Sequence, residues 1–293
     1  MLKQCLYILF FLFYVCCLSS YSQNKNFANG EFEFVRYLIG NDMKEEALTW
    51  AKKDLFFVNY DLKSLDSINF LKGWAFYSSK VLDEASLCFD KVKDSSAFKP
   101  AAIFFSSLCM AYSNEFNKAE NNLSSNEGLL SSHKELYSFE LAGYSLLQRD
   151  FVSYKKCQQN FTYNSYSLFN GEKTLDSIYS LLENKKAKSP LLAATLSAII
   201  PGAGKFYAGS LGEGISSFIT VGSFVGLCAE NWIKHGFSNW KTLLFGSLAS
   251  VFYVGNIYGS YFSVKISENE FNNNQNLSIL YNIHIPLRNT FGL

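Results

Sequence analysis

Proline and histidine are scarce in this chain, and charge is almost absent from one long stretch of it. Four prolines in 293 residues leave few helix breakers, and aromatic side chains make up 17%. That composition argues against disorder and for packed helices. The three histidines, His133, His235 and His284, fall in separate regions with no ligand spacing around them, so no metal site is expected. No Ser-His-Asp or Cys-His constellation is legible, and neither an enzyme nor a cofactor is expected. A net charge of +1 without a basic patch argues against nucleic acid as the main partner. Of seven cysteines, Cys5, Cys16 and Cys17 lie in the first apolar run. Cys88, Cys109, Cys157 and Cys228 are expected as buried free thiols, although an exported chain permits disulfides. Between Pro190 and Val264 the only charged residues are Lys205, Glu213, Glu230, Lys234 and Lys241.

That last stretch separates two unlike regions: a charge-balanced, helical one before it and long apolar runs within it. The chain opens with Lys3, an apolar run from Cys5 to Leu18, and then Ser19-Ser20-Tyr21-Ser22-Gln23. One basic residue, a short apolar core and a small-x-small ending describe a secretory signal peptide over 1–22, cut after Ser22. The alternatives are a lipoprotein signal using Cys16 or Cys17 and an uncleaved anchor. Phe13 to Val15 are bulky for the first, and the run is short for the second against a hydrocarbon core of ~30 Å.

From 23 to 160 the pattern is one of repeated helix pairs. Gly73 is followed twelve residues later by Ala85 and then by Phe89; thirty-four residues on from Ala85 stands Ala119, with Leu123 in the place of Phe89. The same step reaches Ser153, with Cys157 after it, and Ala47 occupies the position in an earlier unit whose spacing to Ala85 is 38. This register resembles the tetratricopeptide repeat, in which a small residue on one helix packs against the next. The Trp-x-x-Leu-Gly opening is nowhere complete, and the proline that usually ends a unit appears only near Pro100. Each pair exposes an apolar face it cannot bury alone, so neighbours stack into a curved solenoid. The resemblance implies a protein or peptide partner on the concave surface.

Over 161–188 a further helix, Glu172 to Lys186, carries Leu175, Ile178, Tyr179 and Leu182 at helical spacing. It is expected to cap the last repeat. Three apolar segments follow within 189–265: Leu191–Ile200, too short to cross unless it runs on through Phe206, Ile215–Ala229, and Thr242–Val264, long enough to span. Trp232, Lys234, Trp240 and Lys241 between the last two are residues typical of a membrane interface. The tail, 266–293, turns polar and then alternates from Leu277 to Leu287, as either a short strand or a loose peptide docked on the repeats.

The motif Pro201-Gly202-Ala203-Gly204-Lys205-Phe206-Tyr207-x-Gly209, followed by Gly214, resembles the glycine and Phe-Tyr signature of the small two-helix transmembrane domain family. It is also similar to the Pro-Gly-x-Gly-x-x-Tyr-x-Gly segment of bacterial membrane domains without assigned function. The Asp-Arg-Phe triplet of the two-helix family is missing, so no receptor-like role carries over. Pro201 interrupts the helix and the glycines permit a sharp turn. Lys205 either binds an anion at that turn or snorkels to headgroups.

Together these features lead to an all-α chain: a tetratricopeptide-like helical solenoid followed by a small helical transmembrane domain. The expected role is an exported scaffold at the inner membrane of a Gram-negative cell, with periplasmic repeats that bind a protein or peptide. The alternative makes the membrane domain the active part, a lipid- or ion-handling module regulated by the repeats.

Overall fold

The computed structural model describes residues 30, 31, 33–53 and 62–292. The signal peptide expected over 1–22, with its lipoprotein and anchor alternatives, lies outside the described residues. Among the described residues every regular element is a helix. The chain divides into two compact units: one runs to Ser180 and resumes at Ile279, and the other is Leu181–Ser278.

The first unit begins with α1 (33–40) and continues through α2 (Lys44–Ala51), α3 (Leu62–Ser78), α4 (Leu82–Asp90), α5 (Lys99–Tyr112) and α6 (Phe116–Ser125). A 3₁₀ segment, Glu127–His133, leads to α7 (Lys134–Leu147), α8 (Phe151–Gln158) and α9 (Phe169–Glu183). Four pairs, α1/α2, α3/α4, α5/α6 and α7/α8, are joined by one and the same turn. Its left-handed residue is Asp42, Lys80, Asn114 or Arg149, with φ between 59° and 63°. The following N–H returns to the carbonyl five residues back at 2.9 Å each time, Met43 to Leu38, Val81 to Phe76, Glu115 to Met110 and Asp150 to Ser145. The turn thereby satisfies carbonyls that the end of a helix leaves without partners. It recurs at intervals of 38, 34 and 35 residues.

Because the turn fixes each pair, the same positions meet inside. The fourth residue of each second helix is Ala47, Ala85, Ala119 or Tyr154, and all four are 0% exposed. Phe89 lies on Gly73 so closely that a methyl there would meet its ring at 2.7 Å. Phe70, Phe89, Phe98, Trp74 and Phe105 form an aromatic interior with ring centroids 5.1–5.9 Å apart. The last pair closes on α9 through Tyr154, whose ring stacks on Tyr179 at 4.9 Å and whose hydroxyl donates to Asp176 at 2.7 Å. Asp176 also accepts from Tyr163, whose phenol is pushed up to about 12 by burial and by that carboxylate. Leu175, Ile178, Tyr179 and Leu182 are the buried face of α9.

The second unit holds α10 (Pro190–Ile199), α11 (Ala203–Ala208), α12 (Leu211–His235) and the part of α13 (Trp240–Phe291) that precedes Ile279. The helices α12 and α13 are long and apolar enough to cross a membrane, by length and composition. The most apolar windows of the two are only 11% and 17% buried, and Ile219, Ile233, Val251 and Phe262 point outward. A core helix of a soluble protein would bury its apolar stripe instead. At 1.5 Å per residue α12 is ~37 Å long, whereas α10 reaches only ~15 Å. The first apolar segment does not run on through Phe206 as one helix, because it breaks at Pro201-Gly202. The longer two pack through Phe224 and Phe252, stacked at 5.1 Å.

The alternating tail is neither strand nor loose peptide but helix, to Phe291. Ile279, Leu280, Ile283 and Leu287 are buried while Leu277, Tyr281 and Ile285 are exposed. Spacings of one, four and eight residues place the buried set on one helical face.

Candidate functional site

The first helices of the pairs present the face on which 279–291 lies. Ile283 and Ile279 pack on α7 at Gly143, which leaves no room for a side chain, and Pro286 meets α9 at Gly171. His284 is gripped edge-on by Tyr77 of α3 and Tyr112 of α5, at 5.7 and 6.4 Å between centroids. The Arg288 guanidinium lies 5.5 Å from the Trp74 ring centroid, a cation–π arrangement. Phe291 contacts Phe104 at 6.0 Å and His133 at 5.2 Å. Beyond its end a cavity of about 520 Å³ stays open, walled by Arg36, Phe70, Trp74, Phe98, Arg288 and Phe291.

This face is polar at its centre. Glu140 of α7 is 0% exposed, and neither carboxylate oxygen has a hydrogen-bond partner. The Tyr144 hydroxyl and the His284 Nε2 are also buried without partners. Burial pushes the Glu140 carboxyl well above the usual range, offset only in part by the nearby Tyr144 hydroxyl. Burial, with the Glu140 charge among the smaller causes, raises the Tyr77 and Tyr112 phenols. Burial and then Arg288 lower the His284 imidazole to about 4. An uncompensated polar group of this kind costs ~1–3 kcal/mol. The sequence reading passed over Glu140, yet a signal was present: it stands one turn from both Leu136 and Tyr144, on the apolar side of its helix.

Of the residues singled out for repeat packing, Gly73, Ala85, Phe89, Ala119 and Leu123 are buried, and Ser153 is half-buried with its hydroxyl on Asp150 at 2.6 Å. The tail contacts none of these six in the interactions described above. Its contacts are with other residues of α3, α5 and α7, with α9 and with the 3₁₀ segment.

The glycine-rich motif assembles a second polar cluster. After Pro201 the chain turns at Gly202, φ +86°, whose N–H donates to Asn256 Oδ1 at 3.1 Å. The Gly204 N–H donates to Ser197 Oγ at 2.9 Å, and Ser197 and Ser260 share a hydrogen bond of 2.6 Å. A Cβ on Gly202 would strike the Gly214 carbonyl, and one on Gly204 the Ala193 carbonyl. Phe206 lies against Gly214, and the Tyr207 hydroxyl accepts from the Ser189 N–H at 3.1 Å. Gly209, φ +105°, closes α11. The Lys205 ammonium stands 3.7 Å from Glu213, which also accepts from Ser263 at 3.4 Å. The broken backbone between α10 and α11 is thus satisfied by side chains of the same unit. Asn256, Ser260 and Ser197 escaped the sequence reading because their pairings span more than fifty residues.

Among the described residues no group of histidine, cysteine and carboxylate side chains could hold a metal ion, and Cys88, Cys109, Cys157 and Cys228 are free thiols. Comparison with protein-family models, with curated proteins and with solved structures finds no match.

Proposed function

We propose that this chain is an exported scaffold, anchored in the inner membrane, whose tetratricopeptide-like solenoid holds a helical protein or peptide segment on its concave, periplasmic face. One observation carries the reading. The first helices of the pairs hold an amphipathic helix, 279–291, by apolar shape and aromatic contact, as helix-in-groove recognition does. The surface is therefore suited to that class of ligand, and the chain's own tail is its resident occupant.

The anchor would be α12 with the segment 242–264 of α13. Residues from before and after these helices belong to one unit, which favours an even number of crossings over three. Two crossings put Lys234 and Lys241 in a cytoplasmic loop, in line with the positive-inside rule. The polar groups around the Pro201-Gly202 turn have partners within the chain, which supports an anchor over a lipid- or ion-handling module.

Two experiments test this. Reporter fusions after Lys188, within 238–240 and at the C-terminus should read periplasm, cytoplasm and periplasm, and a cytoplasmic signal after Lys188 overturns the orientation. A labelled synthetic peptide of residues 277–291 should bind saturably to the full chain carrying Ile283→Glu, whose own tail cannot seat. Absence of binding to a folded Ile283→Glu chain overturns helix capture.

A further inference from the structure

Past its last turn the tail and its seat together enclose a cavity of about 520 Å³, within the ~300–1,000 Å³ of small-molecule sites. Its walls come from separate parts of the chain. Arg36 belongs to α1, Phe70 and Trp74 to α3, Phe98 to the turn before α5, and Arg288 and Phe291 to the tail. The body of the cavity is aromatic, with Phe70 and Phe98 stacked at 5.1 Å. Two guanidiniums are set into it, and among the described residues no carboxylate lines it. Arg36 is exposed on α1, and Arg288 lies over the Trp74 ring. A guanidinium so placed stays cationic and carries five N–H donors in its own plane. An apolar wall with charge of one sign is complementary to an anion on an apolar body.

We propose that this cavity binds a small apolar carboxylate, of the kind a medium-chain fatty acid presents, and that the ligand locks the tail onto its seat. Guanidinium and carboxylate pair through charge-assisted, often bidentate hydrogen bonds, while the aliphatic body displaces water from Phe70, Trp74 and Phe98. A carboxylate brings one charge into this mostly apolar space. A phosphate monoester, nearly doubly charged, would cost more to desolvate. The lock follows from the origin of the walls. Arg288 and Phe291 leave with the tail, so an unseated chain lacks part of the site. A ligand that binds only the seated form shifts the equilibrium toward it. Helix capture needs the tail displaced, so the ligand opposes it, and linkage makes that opposition mutual. This last step rests on the reading of the surface as a helix seat; the carboxylate site does not.

The test uses the full chain in lipid nanodiscs at pH 7.5, with octanoate as the probe and octanol as its neutral counterpart; empty nanodiscs correct for partition into lipid. Octanoate should bind saturably and at least about tenfold more tightly than octanol, as expected for hydrogen bonds to charged groups. Arg36→Gln should cut that advantage at least about threefold, since an amide offers the carboxylate no charge. Ala97→Glu, at an exposed position on the wall, sets a like charge against the ligand and should abolish the advantage. Equal affinities in the parent, or an advantage that survives both substitutions, overturn the carboxylate site. Should Arg36→Gln lower the melting temperature, Ala97→Glu alone decides. For the lock, saturating octanoate should slow hydrogen exchange across 279–291 at least about threefold. Ile283→Glu, which unseats the tail, should weaken octanoate to the level of octanol. Unchanged exchange, or full octanoate affinity in the Ile283→Glu chain, overturns the lock. Failure of the 277–291 peptide to bind that chain, with octanoate still binding the parent, overturns helix capture and leaves the carboxylate site standing.

Discussion

Ile283 occupies the space that a side chain at position 143 would need. The contact ties the tail to α7 through a single missing Cβ, so the two positions should be energetically coupled. Gly143→Val should unseat the tail, raising exchange and proteolysis across 279–291, with a loss of ~2–4 kcal/mol typical of overpacking plus lost burial. Pairing it with Ile283→Ala should recover part of the loss, and a double-mutant cycle measures the coupling.

The four turns make a separate prediction. Lys80 is exposed and holds φ at 62°, a conformation that costs a non-glycine residue ~1–2 kcal/mol. Lys80→Gly removes that strain, and the greater freedom of glycine in the unfolded chain takes part of the gain back. A net stabilisation of ~0.5–1 kcal/mol is expected, read as a rise in melting temperature. The same change at Arg149 should gain less, because the Arg149 guanidinium donates to the Leu146 carbonyl at 2.7 Å.

Glu140 opposes the fold it sits in. Removing its two unpartnered oxygens with Glu140→Met, which is unbranched and of similar volume, should stabilise the first unit by ~1–3 kcal/mol. The sign with pH follows from its raised carboxyl. The penalty is absent below the ordinary carboxylate range and grows as pH rises through it, because the unfolded chain ionises while the buried acid resists. Thermal unfolding of parent and variant at pH 4.5 and pH 7.5 should differ more at the higher pH.

His284 pulls the other way. Its imidazole, near 6.5 when free, is held at about 4 by burial and by Arg288. Docking is therefore at full strength above pH 6.5 and weakens as pH falls toward 4, where the docked imidazole also takes up its proton. The facing groups are Tyr77 and Tyr112, which stay neutral in this range, and Arg288, which stays cationic; Glu140, buried elsewhere on α7, has an effect on stability of the opposite sense. In a Glu140→Gln background, exchange across 279–291 should rise from pH 7 to pH 5. His284→Phe, which keeps the aromatic edge contacts, should flatten that rise, and persistence of the rise in His284→Phe assigns it elsewhere.

The helical character of the chain was legible because scarce proline and helical spacing agree with each other along most of it. Small residues at 47, 85 and 119 mark where the second helix of each pair crosses the first. Counting a further thirty-four residues lands on Ser153, one short of the buried Tyr154, since the interval between the last two turns is 35. The break at Pro201-Gly202 was legible for a similar local reason: a missing donor beside a residue free to take positive φ. The tail was not. From Leu277 to Leu287 apolar residues fit both a two-residue and a 3.6-residue period, and only the surface that receives them decides which subset is buried. Long-range polar pairings such as Ser197 with Ser260 leave no local trace at all.

Those pairings support the last prediction. Asn256 Oδ1 is the acceptor for the Gly202 N–H, and its Nδ2 reaches the Ser197 carbonyl at 3.4 Å. Asn256→Leu keeps the size of the side chain but strands a buried backbone donor, at a cost of ~1–3 kcal/mol. Gly204→Ala should cost more, since its methyl would strike the Ala193 carbonyl, and backbone cannot move aside as a flexible side chain can. Both variants should lower the melting temperature of the second unit in detergent. Gly222→Ala, at a glycine with open space around it on α12, should leave that temperature unchanged or raise it slightly through helix propensity. Equal effects at positions 204 and 222 would mean that the close approach of α11 to α10 does not hold the broken helix together.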